Sequence, residues 1–321
     1  MNLTYGQAVN KAIYDELKSE DKSFMMGQDI EENVYGYTNG LKEEFGIKRI
    51  FNTPLSEAAT TGTAIGSSMC GLRPILDLTV SSFLYVAMDQ IVSMASKTHY
   101  MYDGQYSLPM TIMCSSMYGV NNSCQHSDRP HSLFMGIPGL KIAVPSSPQD
   151  AYSLHRSAFR DKNPVLVFTD RSLFYDEESV DLNLDIPLGH ANILKKGSMV
   201  TIVSISGAIK KIKDCLEGLD KLGIDVELID VRTLVPLDTK TIYESVEKTG
   251  RLLIVDTANR TCSAASHISS LVSENKFSYL KAPISIVSYD DVPVPFARNL
   301  ENMIMVTPEK IMEKVRYLSE Y

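Results

Sequence analysis

Apolar residues in this chain follow two different spacings, and each spacing predicts one kind of element. In Tyr5–Glu20 the apolar residues, among them Ile13 and Leu17, recur at helical intervals with lysines and glutamates between them. Pro74–Val80 and Pro109–Cys114 are short and almost wholly apolar. Runs of this kind are typical of strands that are buried on both faces of a parallel sheet.

The two kinds of segment follow one another through residues 1–180. The predicted strands are Ser23–Asp29, Pro74–Val80, Pro109–Cys114, Leu140–Val144 and Pro164–Thr169. The predicted helices are Tyr5–Glu20, a helix that contains Glu57, Phe83–Lys97 and Asp150–Arg160. Strands alternating with helices predict an α/β domain with a largely parallel sheet, in which ligands bind beyond the carboxyl ends of the strands.

An acidic, irregular segment, Glu177–Pro187, is predicted to link this domain to a second one. A second alternation follows it. The predicted strands are Met199–Ile205, Asp225–Asp230, Arg251–Asp256 and Pro283–Ser288, and the predicted helices are Ala208–Leu222, Thr239–Thr249, Ser263–Glu274 and Glu309–Leu318. We therefore expect two doubly wound α/β domains, a larger one over residues 1–180 and a smaller one over residues 188–321.

Composition narrows the functional classes. The chain has 321 residues, 44% of them hydrophobic, and a net charge of −8 without a lysine or arginine cluster, so we do not expect nucleic acid as a partner. The longest apolar runs fall short of the roughly 20 residues that cross a bilayer, and the first residues lack the layout of a signal peptide. Five cysteines without CxxC spacing indicate a reducing compartment, and we expect a cytoplasmic protein.

The stretch around Glu57 carries the first candidate for chemistry. Pro54 suits the start of a helix, Ser56 is able to cap its amides, and small residues follow Glu57 for three turns. Such a helix lets another backbone or a ligand approach closely. The alternative interpretation is a first-turn carboxylate that only complements the helix dipole.

Histidines supply the second candidate. His126 lies in the polar segment 115–129 after a predicted buried strand, where a proton shuttle would suit it. His126 is alternatively an ordinary surface residue. His131 is a second candidate for the proton shuttle. His267 is interpreted as a capped or solvated residue. The sequence contains no GxSxG, P-loop, GxGxxG or metal-ligand spacing. One glutamate and one histidine in a large α/β chain suggest half of a shared site.

A set of motifs makes the chain similar to a known family. They are Phe51–Ala58, Gly71–Pro74, Ala87–Ile91, Gln125–Ser127, Ile137–Leu140, Arg160–Val165, Ile229–Asp238 and Asp291–Pro295. In this order they resemble the β subunit of the thiamine-diphosphate-dependent decarboxylating component of 2-oxo acid dehydrogenases, of the pyruvate, acetoin or branched-chain type. The resemblance covers nearly the whole chain. It implies a transketolase-like fold, with an N-terminal pyrimidine-binding domain and a transketolase C-terminal-type domain.

The resemblance also implies roles for single residues. Glu57 matches the catalytic glutamate that bonds the aminopyrimidine of the cofactor and promotes the imino tautomer that generates the ylide. Leu55 matches the residue that props the bent cofactor, Phe83 the aromatic side chain that packs on its pyrimidine, and His126 the histidine near the reacting carbon. A turn that binds potassium in some relatives matches Met110, Ala158, Phe159, Asp161 and Asn163.

A partner is implied as well. The family holds the diphosphate and Mg²⁺ through a GDG motif, which this sequence lacks. The resemblance therefore implies an α subunit that binds them, an α2β2 heterotetramer, and a lipoyl acyltransferase as a further partner.

Departures from the family pattern fall on the substrate side. Residues 113–118 replace a glycine-rich loop, Asp128 stands where glutamine is usual, His267 replaces an acidic residue, and Ser82 replaces an aspartate. These departures leave a second hypothesis open, in which the protein is part of a split transketolase or a carboligase that transfers a two-carbon unit to an aldehyde or sugar. A non-catalytic assembly subunit is the third reading.

Overall fold

The computed structural model of the protein describes residues 1–117 and 119–321, so Tyr118 of the predicted loop 115–129 lies outside the described residues. The strands of the first half are β1 (Asn2–Thr4), β2 (Ser23–Gly27), β3 (Ile50–Asn52), β4 (Arg73–Val80), β5 (Thr111–Ser116), β6 (Lys141–Ala143), β7 (Val165–Asp170) and β8 (Glu177–Ser179). The helices of this half are α1 (Tyr5–Ser19), α2 (Leu41–Phe45), α3 (Glu57–Met69), α4 (Thr98–Met101), α5 (His131–Met135) and α6 (Pro148–Arg160).

The second half repeats the alternation. Its strands are β9 (Asn192–Lys195), β10 (Val200–Ile205), β11 (Val226–Asp230), β12 (Thr233–Val235), β13 (Leu252–Asn259) and β14 (Ser285–Tyr289). Its helices are α7 (Ala208–Lys221), α8 (Thr239–Thr249), α9 (Ala264–Lys276), α10 (Arg298–Ile304) and α11 (Pro308–Ser319). The predicted fold class, two α/β units with largely parallel sheets, is confirmed.

The two large sheets are each parallel except at one edge. In the described part of the chain the first sheet has the strand order β12-β6-β7-β5-β4-β2-β3, with β12 antiparallel to β6. The second sheet has the order β14-β13-β10-β11-β9, with β9 antiparallel to β11. Because β3 and β4 lie on opposite sides of β2, the strand order of the first sheet reverses at β2. Ligands of open α/β sheets bind at such a reversal.

The two halves share one hydrophobic core. Ile112 and Phe168 of the first sheet belong to the same buried cluster as Val203 and Ile254 of the second. β12 comes from the second half of the chain but completes the first sheet. The boundary between residues 180 and 188 therefore stays a prediction, because packing crosses it.

Two expected elements differ from the structure. The predicted linker contains β8, which pairs antiparallel with β1, and its Ile186 is buried. The predicted helix Phe83–Lys97 is instead a 3₁₀ turn, Ser81–Tyr85, followed by a π-helical segment, Gln90–Ala95. The serine hydroxyls at the start of the 3₁₀ turn bond carbonyls of a distant loop, which holds the backbone out of a regular α-helix. No helix of the described residues is long and apolar enough to cross a membrane.

Candidate active site

Glu57 is the first residue of α3 and is partly buried. The segment before it is fixed to the neighbouring strand, because the amide of Thr53 donates to the carbonyl of Gly27 at 2.8 Å. Ser56 occupies the N-cap position as expected, but its side chain makes no capping bond, so that expectation is wrong. The small side chains that follow Glu57 leave the first turn of α3 open to a ligand.

Glu57 lies in a cleft formed by the carboxyl ends of three neighbouring strands. The lining residues follow β2, follow β3 or end β4; they are Gln28, Thr53, Pro54, Leu55, Ser56, Glu57, Thr60, Asp77, Leu78 and Thr79. This is the point at which the strand order reverses. The cleft is therefore where the topology of the first sheet places a binding site, and the predicted catalytic glutamate is in it.

Asp77 is a second carboxylate in this cleft, and sequence analysis missed it. The Tyr37 hydroxyl donates to it at 2.8 Å and the Thr79 amide at 2.7 Å. Burial raises the pKa of Asp77 to about 6, although both of these hydrogen bonds lower it. Thr79 has a positive φ of 63°, and the β4–β5 register is irregular between Asp77 and Val80. The sequence signal that could have indicated Asp77 is that it is the one acidic residue in the otherwise largely apolar strand segment Pro74–Val80.

Phe83 and His126, far apart in sequence, are brought into contact. Their rings meet edge to face, with centroids 5.5 Å apart and planes at 82°. The Ser82 hydroxyl donates to the Gln125 carbonyl at 2.6 Å, which joins the turn that carries Phe83 to the turn that carries His126. Both rings are partly buried. One edge of the histidine ring is therefore packed against Phe83, and part of the ring stays accessible to solvent. A group that exchanges protons needs such access.

Leu55 lies at the mouth of the Glu57 cleft and is 69% exposed. An apolar side chain this exposed beside a partly buried carboxylate fits a surface that another molecule covers. Its predicted role toward a cofactor stays a prediction.

A second cleft of about 630 Å³ adjoins the His126 turn and lies between the two halves of the chain. Its residues are Cys124, Gln125, Asp128, Asn259, Thr261, Tyr289, Asp291, Val292 and Pro293. Burial raises the pKa of Asp128, and a hydrogen bond with the Tyr85 hydroxyl partly offsets that effect. Asp128, one of the departures from the family pattern, therefore lines the cleft beside the His126 turn.

The predicted potassium turn carries side-chain cations. Its proposed ligands are Met110, Ala158, Phe159, Asp161 and Asn163. The guanidinium of Arg73 donates to the Phe159 carbonyl, and Lys141 Nζ lies 2.5 Å from the Asp161 carboxylate. Both amide groups of Asn163, main-chain and side-chain, also donate to Asp161. These contacts supply positive charge where a potassium ion would bind, so they argue against the ion, and the potassium site stays a prediction.

The other candidate histidines lie elsewhere. His131 is buried between the halves, with Nε2 3.5 Å from Oδ2 of Asp256 and its ring packed against Phe168. His267 is exposed on α9, as its solvated interpretation predicts. No cluster of three or more histidine, cysteine or acidic side chains within residues 1–117 and 119–321 has metal-binding geometry.

Comparison with known proteins identifies both halves. The family described as the pyrimidine binding domain of transketolase matches residues 1–176, and the C-terminal domain of transketolase matches residues 189–311. The chain is 39% identical to the pyruvate dehydrogenase E1 component subunit beta of Rickettsia felis, over 100% of this chain and 99% of that one. It is 34% identical to the acetoin:2,6-dichlorophenolindophenol oxidoreductase subunit beta of Bacillus subtilis, over 97% and 95% of the two chains.

A solved structure supports the fold independently. The chain superposes on a protein described as a split gene transketolase, inactive beta4 tetramer, with a TM-score of 0.82. The match covers 99% of this chain and 98% of the other, at 19% identity. At that identity the likeness concerns the fold alone.

Proposed function

Because the chain belongs to the transketolase-like family of β subunits of thiamine-diphosphate-dependent 2-oxo acid dehydrogenase E1 components, we propose that it activates this cofactor for decarboxylation of pyruvate. One observation carries the proposal: Glu57 lies partly buried in the cleft where the strand order of the first sheet reverses. The names of the relatives favour this reading over two-carbon transfer to a sugar.

The Glu57 cleft is proposed to receive the pyrimidine end of the cofactor. Glu57 offers a carboxylate that holds and returns a proton at a ring nitrogen, and the side chains that follow it on α3 are small. Leu55 at the mouth of the cleft is proposed to support the bent cofactor, and Phe83 is proposed to pack on its pyrimidine ring. When it is bound, thiamine diphosphate supplies the electron sink that lets a 2-oxo acid lose carbon dioxide, and the protein orients the reacting groups.

His126 is proposed as the group that holds a proton near the reacting carbon. Its ring is oriented by the edge-to-face contact with Phe83 and by the bond between Ser82 and Gln125. Asp128 and the second cleft then face the substrate. The departures noted in the sequence concentrate there, so they are expected to affect the choice of 2-oxo acid more than the activation of the cofactor.

The remaining parts of the site are proposed to come from an α subunit. The exposed Leu55 and the open Glu57 cleft support a shared site, and the relatives with high coverage are named as β subunits. We propose an α2β2 heterotetramer in which the α chain binds the diphosphate and Mg²⁺. A lipoyl acyltransferase is the proposed acceptor of the acyl group, and the five free cysteines support a cytoplasmic location.

The test uses the chain purified together with its α subunit. With thiamine diphosphate, Mg²⁺ and pyruvate we expect carbon dioxide release coupled to reduction of lipoamide. Glu57→Gln should lower kcat by at least about 10³-fold, since it removes the proton-transferring carboxylate. Glu43→Gln, the same change at an exposed position of α2, is the control and should leave kcat unchanged.

Three outcomes contradict parts of this proposal. Turnover retained in Glu57→Gln removes the glutamate from the mechanism. Ketol formation with an added aldehyde, without reduction of lipoamide, supports the carboligase reading. Tight binding of thiamine diphosphate and Mg²⁺ by the β chain alone refutes the shared site.

A further inference from the structure

A glutamate from the second half of the chain holds the loop that leads to His126. Glu301, on α10, is 1% exposed. Its Oε1 accepts a hydrogen bond from the Gly119 amide at 2.9 Å. Its Oε2 accepts two bonds from Asn121, one from the main-chain amide at 3.1 Å and one from Nδ2 at 2.8 Å. Three donors on one buried carboxylate are enough to offset the cost of removing it from water.

The backbone of this loop needs such support. Asn121 and Ser123 have positive φ values of 57° and 68°, which non-glycine residues adopt at a cost. Gly119, with φ of 79°, packs so closely that a Cβ there would lie 2.9 Å from Cε of Met305. Segment 301–305 therefore contacts the loop through a carboxylate and through an apolar side chain.

The other end of the loop is fixed within the first half. The Ser127 hydroxyl donates to the Ser123 carbonyl at 2.6 Å, and Ser82 holds Gln125 beside Phe83. The turn that carries Phe83 also holds the residues after the histidine, because the Ser81 hydroxyl donates to the Asp128 carbonyl. His126 thus lies between the attachment made by Glu301 and the one that Ser81 makes to Asp128. The attachment made by Glu301 crosses 180 residues of sequence to the other half of the chain.

We propose that Glu301 is a positioning residue for His126, through which the second half of the chain sets the conformation of the histidine loop. Glu301 touches Gly119 and Asn121, and acts on His126 through the backbone of the loop. The inference rests on the role proposed above for His126. It assigns to the second half of the chain a direct effect on the reaction, in addition to its structural role.

The experiment compares Glu301→Gln with the parent in the complex with the α subunit. The amide keeps the shape of the side chain but replaces one acceptor by a donor that faces N–H groups. We expect hydrogen–deuterium exchange of residues 119–127 to accelerate at least about tenfold. We expect kcat to fall about 10–100-fold with little change in KM, the scale of a misplaced catalytic group. Glu274→Gln, an exposed glutamate on α9, is the matched control.

A double-mutant cycle separates positioning from loss of structure. In a His126→Ala background Glu301→Gln should change kcat by less than about twofold, because the group that it positions is absent. An equal loss in both backgrounds overturns the proposal. Asn121→Ala, which removes one of the three bonds, should give a smaller effect in the same direction, and it replaces Glu301→Gln if that variant does not assemble.

The two proposals fail in different ways. Unchanged exchange of residues 119–127 in Glu301→Gln refutes the attachment and leaves the proposed function standing. Full activity of His126→Ala refutes the role of the histidine, and with it the inference that Glu301 acts through it. Loss of activity in Glu57→Gln tests the proposed function independently of both.

Discussion

At the carboxyl ends of β2, β3 and β4 the first sheet is open to solvent, whereas at the carboxyl ends of β11 and β13 the second sheet is covered by the first half of the chain. The open edge has the partly buried Glu57 and the exposed Leu55. At the closed edge, Asp230 and Asp256 are fully buried. The same architecture thus places carboxylates at equivalent ends of two sheets and gives them different surroundings.

The closed edge is part of a polar interface between the halves, which we call the interdomain seam. Its ionisable members are Arg129, His131, Asp150, Asp170, Asp230, Arg232 and Asp256. Asp230 accepts a hydrogen bond from Ser146, and burial, followed by the nearby Asp150, raises its pKa to about 8. Asp230 therefore serves as a hydrogen-bonding group within the seam. Carboxylates at the seam therefore contribute to structure, in contrast to Glu57, for which a catalytic role is proposed.

The largest expected effect on stability belongs to Asp170 of the seam. Burial alone would raise its pKa, but the Arg129 guanidinium at 2.8 Å keeps it below the ordinary value. The Gly207 amide, at the start of α7, also donates to it at 3.1 Å. Asp170→Asn should lower the free energy of unfolding by about 3–5 kcal/mol, because it removes one charge from a buried pair. Urea unfolding of the chain measures this difference.

A matched control uses an exposed pair. Asp185 and Arg160 lie 3.1 Å apart with exposed side chains, so Asp185→Asn should change the free energy of unfolding by less than about 0.5 kcal/mol. Equal effects of the two variants would contradict the assignment of the seam as the buried, structural edge.

The next effect depends on pH and concerns Asp77, a buried carboxyl group beneath the open edge. Its pKa is about 6 in the folded state and near 4 in an unfolded chain. Between these values the folded state binds the proton more strongly, so the free energy of unfolding falls as the pH rises through this window, by up to about 3 kcal/mol. Asp77→Asn should remove this dependence. Urea unfolding at pH 4, 5, 6 and 7 tests it, and parallel profiles for parent and variant would disprove it.

The fold was accessible from the sequence because its elements have local signals. Runs such as Pro109–Cys114 are apolar throughout, as strands buried on both faces must be, and the structure has β5 there. Glu57 was accessible because the chain around it carries both a helix start and a dense family motif. Where a local signal is absent, the prediction failed. Nothing near Thr233–Val235 shows that it pairs with Lys141–Ala143 of the other half.

The parts of the site that were missed depend on contacts between distant residues. Asp77 accepts a hydrogen bond from Tyr37, 40 residues away, and Glu301 accepts one from Asn121, 180 residues away. The spacing of hydrophobic residues along the chain does not predict which distant residues come into contact. The 3₁₀ turn at Ser81–Tyr85 was predicted as helix for the same reason, since its geometry follows from bonds to a loop more than 40 residues away.

A smaller effect is expected for Ser82, which joins the Phe83 turn to the His126 turn. Ser82→Ala removes the bond to the Gln125 carbonyl and should lower the free energy of unfolding by about 1 kcal/mol. It should also slow decarboxylation by the complex, since Phe83 and His126 lose their common support. Ser67→Ala is the control, because the Ser67 hydroxyl bonds Thr63 within α3. A variant as active as the control would show that this bond does not orient His126.

The smallest effect on stability should accompany the largest effect on activity. Glu57→Gln is the same carboxylate-to-amide change as Asp170→Asn, made at the open edge. Glu57 lies in the first turn of α3, so the variant loses its favourable interaction with the helix dipole, about 0.5 kcal/mol. For each of the two variants, urea unfolding gives the free energy of unfolding and the decarboxylation assay gives the activity. If Glu57→Gln destabilises the chain as much as Asp170→Asn does, the two edges do not differ in the way proposed, because the comparison requires the stability contribution of Glu57 to be much smaller than that of Asp170.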